Sequence, residues 1–341
     1  MGYLKKIIFI IFIFFSIYDV NLGQEFEVNN LYKPSVLKIG TKAFYVIDGY
    51  KVKVFSKKTK KLLYELGKKG EGPGEFSHKP NSIQFLKDKI LCGSPYKIMY
   101  FSYKGTYINE VKTGKATRLI QKLGNTGYVG VQLANGKNSI TDINLNLYDN
   151  QFNLKKILSN KIYESKKAKI GLFVMFSSYF HIETDGENIV YADASNKLQL
   201  NIYDIKSKNL CKINVKQKPI RLTNSCKETI INCWKTNYRR KIIVDILKKT
   251  ISFPEFFPPI ITWKLADKKI FIITVNKLKD RNQCLIYNLK GKLIKEVYIH
   301  FESDCEILYK WHPFDIYKNN FYQLKENSEN EKWTLSVSLL K

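Results

Sequence analysis

The chain repeats one unit, a strand, a tight polar turn and a second strand, and a recurring unit restricts the fold more than composition does. Six copies can be traced: Ser35–Ile39 with Ala43–Ile47, Ser82–Phe85 with Ile90–Gly93, Arg118–Leu123 with Tyr128–Leu133, Phe180–Thr184 with Asn188–Ala192, Ile260–Leu265 with Lys269–Val275, and Phe314–Tyr317 with Phe321–Leu324. Turns such as Gly40-Thr41-Lys42 and Asp185-Gly186-Glu187 carry residues that tolerate turn geometry. An apolar-aromatic pair with a polar residue follows in five places: Val54-Phe55-Ser56, Tyr100-Phe101-Ser102, Leu147-Tyr148-Asp149, Ile202-Tyr203-Asp204 and Ile286-Tyr287-Asn288. The aromatic positions step by 46, 47, 55 and 84 residues, and the first three steps suit a four-stranded blade of about 40–50 residues. The expectation is an all-β, six-bladed β-propeller of four-stranded blades. Trp333–Leu340 is its last strand, and Glu25–Asn30 is expected to complete the sixth sheet and remove an open edge. Leu133–Thr141, where Asn, Gly and Lys interrupt the apolar pattern, is expected to be a long loop or a displaced hairpin.

The 84-residue step holds an insert. Cys226–Lys249 spaces Ile230, Cys233/Trp234, Ile242/Ile243 and Ile246/Leu247 as a helix does, and Thr223, Asn224 or Ser225 can cap its start. A helical insert is therefore expected at about 223–250, between blades 4 and 5, as a structural cover rather than a lid.

Residues 1–23 read as a targeting segment. Lys5 and Lys6 precede the apolar run Ile7–Ile17, which is too short for the roughly 20 residues of a spanning helix and fits a secretory signal peptide. Cleavage after Gly23 would leave residues 24–341 as one propeller domain, secreted or periplasmic, with no transmembrane domain. No Cys stands near the end of the run, so no lipid anchor is expected. The alternative is an uncleaved membrane anchor.

The net charge of +27 raises nucleic acid as a partner, but export and the scatter of lysines through the turns argue against it. The plain reading of the charge is a solvated, lysine-rich surface, and the functional one is attraction to an anionic envelope polymer or membrane surface through the positive field. Six cysteines permit 15 complete pairings, among which sequence cannot choose. Cys226 and Cys233, seven apart, would lie about 10 Å apart on a helix, beyond disulfide reach. Cys92 and Cys284 sit in apolar strand runs and read as small buried hydrophobes.

The stretch Gly67–Pro80, GKKGEGPGEFSHKP, is a shaped crossover between two strands, since its glycines and prolines disfavour helix and regular strand. A phosphate cradle is the weaker explanation, because no helix pattern follows and no Lys-Ser/Thr closes the loop. Gly70-Glu71-Gly72-Pro73-Gly74-Glu75-Phe76 resembles the GxGPGEF signature of secreted bacterial six-bladed β-propellers, an NHL-repeat-like and TolB-like group. The run FPEFFPP at Phe253–Pro259 is similar to a segment of the same group. The resemblance implies export and a propeller fold. Phe76, the one large apolar residue of the crossover, is expected to be buried between blades 1 and 2. Glu71, Glu75 and His78 are the candidate ligand-binding residues, at a channel mouth or paired with loop amides.

His78, His181 and His312 belong to blades 2, 4 and 6, where three imidazoles meeting on the axis would hold a metal with an open position. NHL-type peptidyl-amidoglycolate lyases are similar in using histidines for zinc on such a propeller. Register stands against it. Aligning Ile90, Ile189 and Phe321, with a longer turn in blade 4, puts His181 level with Gln84 and Asp315, His312 about three residues higher and His78 about six. Gluconolactonase-like propellers suggest Asp48, Asp193 and Asp315 as metal-site acids, but no spacing singles them out. There is no G-x-S-x-G elbow and no H-E-x-x-H. The expected function is an exported binding or scaffold propeller without a cofactor, its ligand a glycan, peptide or protein at a propeller face. The alternative is a lyase- or lactonase-type enzyme with zinc or calcium near the channel.

Overall fold

The computed structural model describes residues 23–114, 117–135, 140–164, 181–193, 199–237, 253, 255–257, 259–302, 312–327 and 332–340. The apolar run near the N-terminus lies outside them. Among the described residues no helix is long and apolar enough to cross a membrane.

Six four-stranded antiparallel sheets follow one another along the chain. Blade 1 is β2(Pro34–Ile39), β3(Ala43–Asp48), β4(Lys51–Ser56) and β5(Leu62–Leu66), and blade 2 is β6(Ser82–Phe85), β7(Lys89–Gly93), β8(Lys97–Ser102) and β9(Tyr107–Lys112). Blade 3 is β10(Thr117–Leu123), β11(Gly127–Asn135), β12(Ile140–Tyr148) and β13(Leu154–Glu164). Blade 4 is β14(Ile182–Thr184), β15(Asn188–Asp193), β16(Gln199–Asp204) and β17(Leu210–Asn214). Blade 5 is β18(Ile260–Ala266), β19(Lys269–Leu278), β20(Arg281–Asn288) and β21(Leu293–Ile299). Blade 6 is β22(Phe314–Tyr317), β23(Asn320–Asn327) and β24(Lys332–Leu339), completed by β1(Gln24–Val28) from the other end of the chain. β1 pairs with β24 from Gln24↔Val337 to Val28↔Trp333, the closure expected from sequence. The first strand of each blade touches the first strands of its two neighbours, so β2, β6, β10, β14, β18 and β22 form a ring around the axis.

The core lies between blades. Successive side chains on a strand point to opposite faces, and a blade has a neighbour on each face. Along β3, Phe44 and Val46 pack against blade 6, while Tyr45 and Ile47 pack against blade 2. Each of the other blade junctions holds a cluster of the same kind.

The recurring aromatic-polar unit has a structural reason. Its polar residue closes the outer turn: Ser56, Ser102, Asp149, Asp204 and Asn288 each accept hydrogen bonds from backbone N–H groups two to four residues on. Its aromatic residue marks a shift of register between the third and fourth strands at Phe55, Phe101, Tyr148 and Tyr287. The extra residue is left out of the ladder, which is why Leu63, Ile108 and Ile294 are exposed apolar side chains. Such bulges twist the outer strand and make it a poorer template for edge-to-edge pairing.

Blade 3 differs from expectation. β11 and β12 stay in continuous register from Tyr128↔Tyr148 out to Asn135↔Thr141, so the polar stretch prolongs the hairpin. The turn itself lies outside the described residues. A ladder is made by backbone groups, and apolar side chains are needed only where a strand is covered.

The insert begins as α1(Asn224–Asn237), capped by Thr223, whose Oγ1 accepts a hydrogen bond from Cys226 N at 3.3 Å. Its base is tied by backbone bonds from Leu222 N to Glu255 O (2.8 Å) and Phe257 N to Ile220 O (2.8 Å). The helical expectation beyond residue 237 lies outside the described residues. Cys92 and Cys284 are buried, and burial pushes the Cys284 thiol up to about 12, so it stays protonated.

Candidate functional site: the axial cavity

An innermost strand leaves one row of backbone N–H and C=O groups facing the axis, and these need partners. The partners come from one position on each inner strand. Opposite Tyr45, Leu91, Val129, Val190, Phe271 and Tyr322 on the second strands stand Lys38, Gln84, Gln121, Glu183, Lys264 and Asp315. All six are polar.

Gln84 reaches from blade 2 to blade 3, where Oε1 accepts from Lys122 N (2.6 Å) and Nε2 donates to Lys122 O (2.9 Å). Gln121 repeats this from blade 3 to blade 4, with Thr184 N (3.0 Å) and Ile182 O (2.9 Å). Asp315 Oδ2 accepts from Ile39 N (2.8 Å), joining blade 6 to blade 1. Each carboxamide or carboxylate thus stands in for a missing strand.

The other ring members carry charge. Lys264 Nζ lies 2.7 Å from Glu183 Oε1, and Lys38 Nζ lies 3.5 Å from Asp315 Oδ1. His181 Nε2 lies 2.9 Å from the same Glu183 oxygen. Burial alone would push the Glu183 carboxyl up, but Lys264, His181 and Lys38 outweigh it and hold it well below the usual carboxylate range. Burial would likewise lower the Lys38 ammonium, yet Asp315 and Glu183 outweigh it and raise it.

Five members of this ring, all but Asp315, line an axial cavity of about 650 Å³, to which the first strands of blades 1 to 5 and Phe314 of blade 6 all contribute. Lys79 and Pro80, the end of the glycine-rich crossover, also reach it.

Glu71, Glu75 and His78 are not among the residues lining this cavity. The crossover lies against the outer part of blade 2, where a Cβ on Gly74 would meet Tyr107 at 3.4 Å. Glu75 folds back, accepting from Gly72 N (2.9 Å) and pairing with Lys68 (3.0 Å), while Glu71 is exposed. His78 is exposed and packs on Tyr96, ring centroids 4.7 Å apart. Phe76 is fully buried in the cluster between blades 1 and 2, as expected. Gly67 has a φ of +68°, and a Cβ there would lie 2.3 Å from the Phe76 ring, so the crossover needs glycine at that point.

The three histidines do not meet. His181 reaches the cavity and its ring packs edge-on to Trp263. His312 is buried against Trp333, with ring centroids 5.8 Å apart. Among the described residues no group of three His, Cys, Asp or Glu is placed to hold a metal ion. The sequence register of blade 4 is corrected by two residues. Thr184 pairs with Ile189 as Phe85 pairs with Ile90, so the turn is no longer than in blade 2 and Glu183, not His181, stands level with Gln84 and Asp315. Of the three acids, Asp48 accepts from Tyr32 N (3.0 Å) and Lys33 N (2.6 Å) and fixes the link from β1 to β2. The Asp193 side chain lies outside the described residues.

Among solved structures, the chain is similar to the RRP9 WD40 repeats at 6% identity, covering 92% of this chain and 97% of that one with a TM-score of 0.47. It is similar to a luciferin-regenerating enzyme at 10% identity, covering 93% and 96%, TM-score 0.45. It is also similar to the Pan2 WD40 domain of Neurospora crassa at 8% identity, covering 90% and 89%, TM-score 0.42. Likeness at this level carries nothing about function. No curated protein matches the sequence. The family model described as a 6-bladed beta-propeller, DUF5128, matches residues 24–218, from the closing strand β1 through blade 4. With more than half of its length matched and six blades closed around one axis, the chain belongs to this family of six-bladed β-propellers.

Proposed function

We propose that the chain is an exported binding module that takes its ligand into the axial cavity. The observation that carries this is the set of Lys38, Gln84, Gln121, Glu183 and Lys264, one from the first strand of each of five blades, lining a cavity of about 650 Å³, a volume within the range of small-molecule sites. Sites that orient a ligand combine concave walls with a few convergent polar groups, and the inner strands supply both. The residue run before the first strand and the likeness of residues 70–76 to a secreted-propeller signature support export. The net charge of +27 supports anionic partners.

A thermal-shift panel of envelope-type glycans, peptides and small anions tests the site. At least one compound raises Tm in the parent and not in Thr262→Trp, which fills the cavity wall. A ligand that stabilises both proteins equally places its site elsewhere and overturns the proposal, as does a panel without any ligand. Metal analysis of the same preparation tests the enzyme alternative, since stoichiometric zinc or calcium would replace the binding module with a metal-dependent propeller enzyme. N-terminal sequencing of protein from cell fractions tests export, with Gln24 the expected first residue.

A further inference from the structure

We propose that the ligand of the axial cavity is a small organic anion, a carboxylate or a phosphate monoester, held between the ammonium groups of Lys38 and Lys264. This rests on the axial cavity being the binding site. Counted by side chains alone, the ring is balanced, two ammonium groups against two carboxylates. Counted by what the cavity is offered, it is cationic. The Lys38 and Lys264 side chains are 25% and 13% exposed and the His181 ring 22%, whereas Asp315 and Glu183 are 2% and 6% exposed.

The carboxylates are also engaged by protein donors. Asp315 Oδ2 is taken by Ile39 N, and Glu183 Oε1 faces both Lys264 Nζ and His181 Nε2. Asp185, the other acid on the cavity wall beside Glu183, accepts from Glu187 N (3.0 Å) and Asn188 N (2.7 Å) within its own turn. The ammonium groups keep capacity, because each has three N–H donors. Lys38 Nζ approaches Asp315 only to 3.5 Å, beyond strong hydrogen-bond range. A second observation lies two residues away along β18, on the same side of the strand. Thr262 is 1% exposed, lines the cavity beside Lys264, and its Oγ1 has no hydrogen-bond partner among the described residues. A buried hydroxyl without a partner is costly, and a ligand oxygen accepting from it would repay that. Lys38 on blade 1 and Lys264 on blade 5 flank blade 6, so an anionic group held by both sits over its first strand. With lysines and no arginine on the wall, recognition is by point charge, and carboxylate and phosphate are both admitted.

Isothermal titration at constant ionic strength, with succinate, inorganic phosphate, neutral glucose and cationic choline as probes, tests this. Succinate or phosphate binds the parent, affinity falls at least tenfold in Lys38→Gln and in Lys264→Gln, and it is unchanged in the surface control Lys51→Gln. If Lys264→Gln fails to fold by circular dichroism, Lys264→Arg, which keeps the charge, retains binding and Thr262→Val weakens it. Glucose or choline binding while both anions fail sinks the anion class and leaves the axial site standing. Anion binding weakened equally by Lys51→Gln shows attraction to the charged surface only and overturns the proposal. No binding by any probe here, together with no ligand in the wider panel, overturns the axial site as well.

Discussion

Phe76 and Glu183 show how single side chains divide the labour. Phe76 is the anchor of the glycine-rich crossover, buried beside Phe101 and pressed on Gly67. Phe76→Ala is expected to cost about 3–5 kcal/mol in denaturant unfolding. Glu71→Ala, at an exposed position, stays within about 0.5 kcal/mol. Equal stabilities for the two variants would show that the anchor lies elsewhere. Glu183 sets a pH dependence. Its folded pKa lies below that of an unfolded glutamate, about 4.3. It therefore stabilises the fold above that pH, and the contribution is lost as pH falls toward its depressed folded value. Unfolding free energies measured from pH 6 to pH 2 should fall more steeply in the parent than in Glu183→Gln. At pH 7 the variant is less stable by about 3 kcal/mol, because Lys264 keeps its charge without its partner. Parallel pH curves would remove Glu183 from the list of paired, buried carboxylates.

At the scale of elements, the hairpins were legible because their causes are local. Alternating apolar residues, turn glycines and the polar residue after each aromatic all act within a few positions. The same locality explains why the outer turns recur as Ser, Asp or Asn: Asp149 and Asp204 each take two loop amides. Asp204→Ala should cost about 1 kcal/mol and leave the cavity unaffected, checked by urea unfolding beside the ligand titration. The axial ring was not legible, although its members were in view. Gln84 and Asp315 served as register marks, and an error of two residues in blade 4 placed His181 where Glu183 stands. Ring membership depends on equivalent register in strands far apart in sequence, and an inner strand such as β14, with three residues, carries too little pattern to fix it. The polar stretch of blade 3 misled for a related reason, since strand extent beyond the core follows backbone pairing.

For the whole molecule, closure is the decisive feature. β1 lays Val28 against the cluster between blades 6 and 1 and leaves no free fourth-strand position in the last sheet. Deleting residues 24–28 should expose the edge of β24, lower Tm and promote association between copies, measured by light scattering. A monomer with unchanged Tm would show that β1 is dispensable. In the proposed reading the closed ring also brings equivalent strand positions from separate blades into one site, and that is the claim most open to direct contradiction. Crystals soaked in selenate, an oxyanion with an anomalous signal, would locate it. The expected result is an anomalous peak on the axis between Lys38 and Lys264, absent in Lys38→Gln. Peaks confined to surface lysines, with none in the cavity, would contradict it.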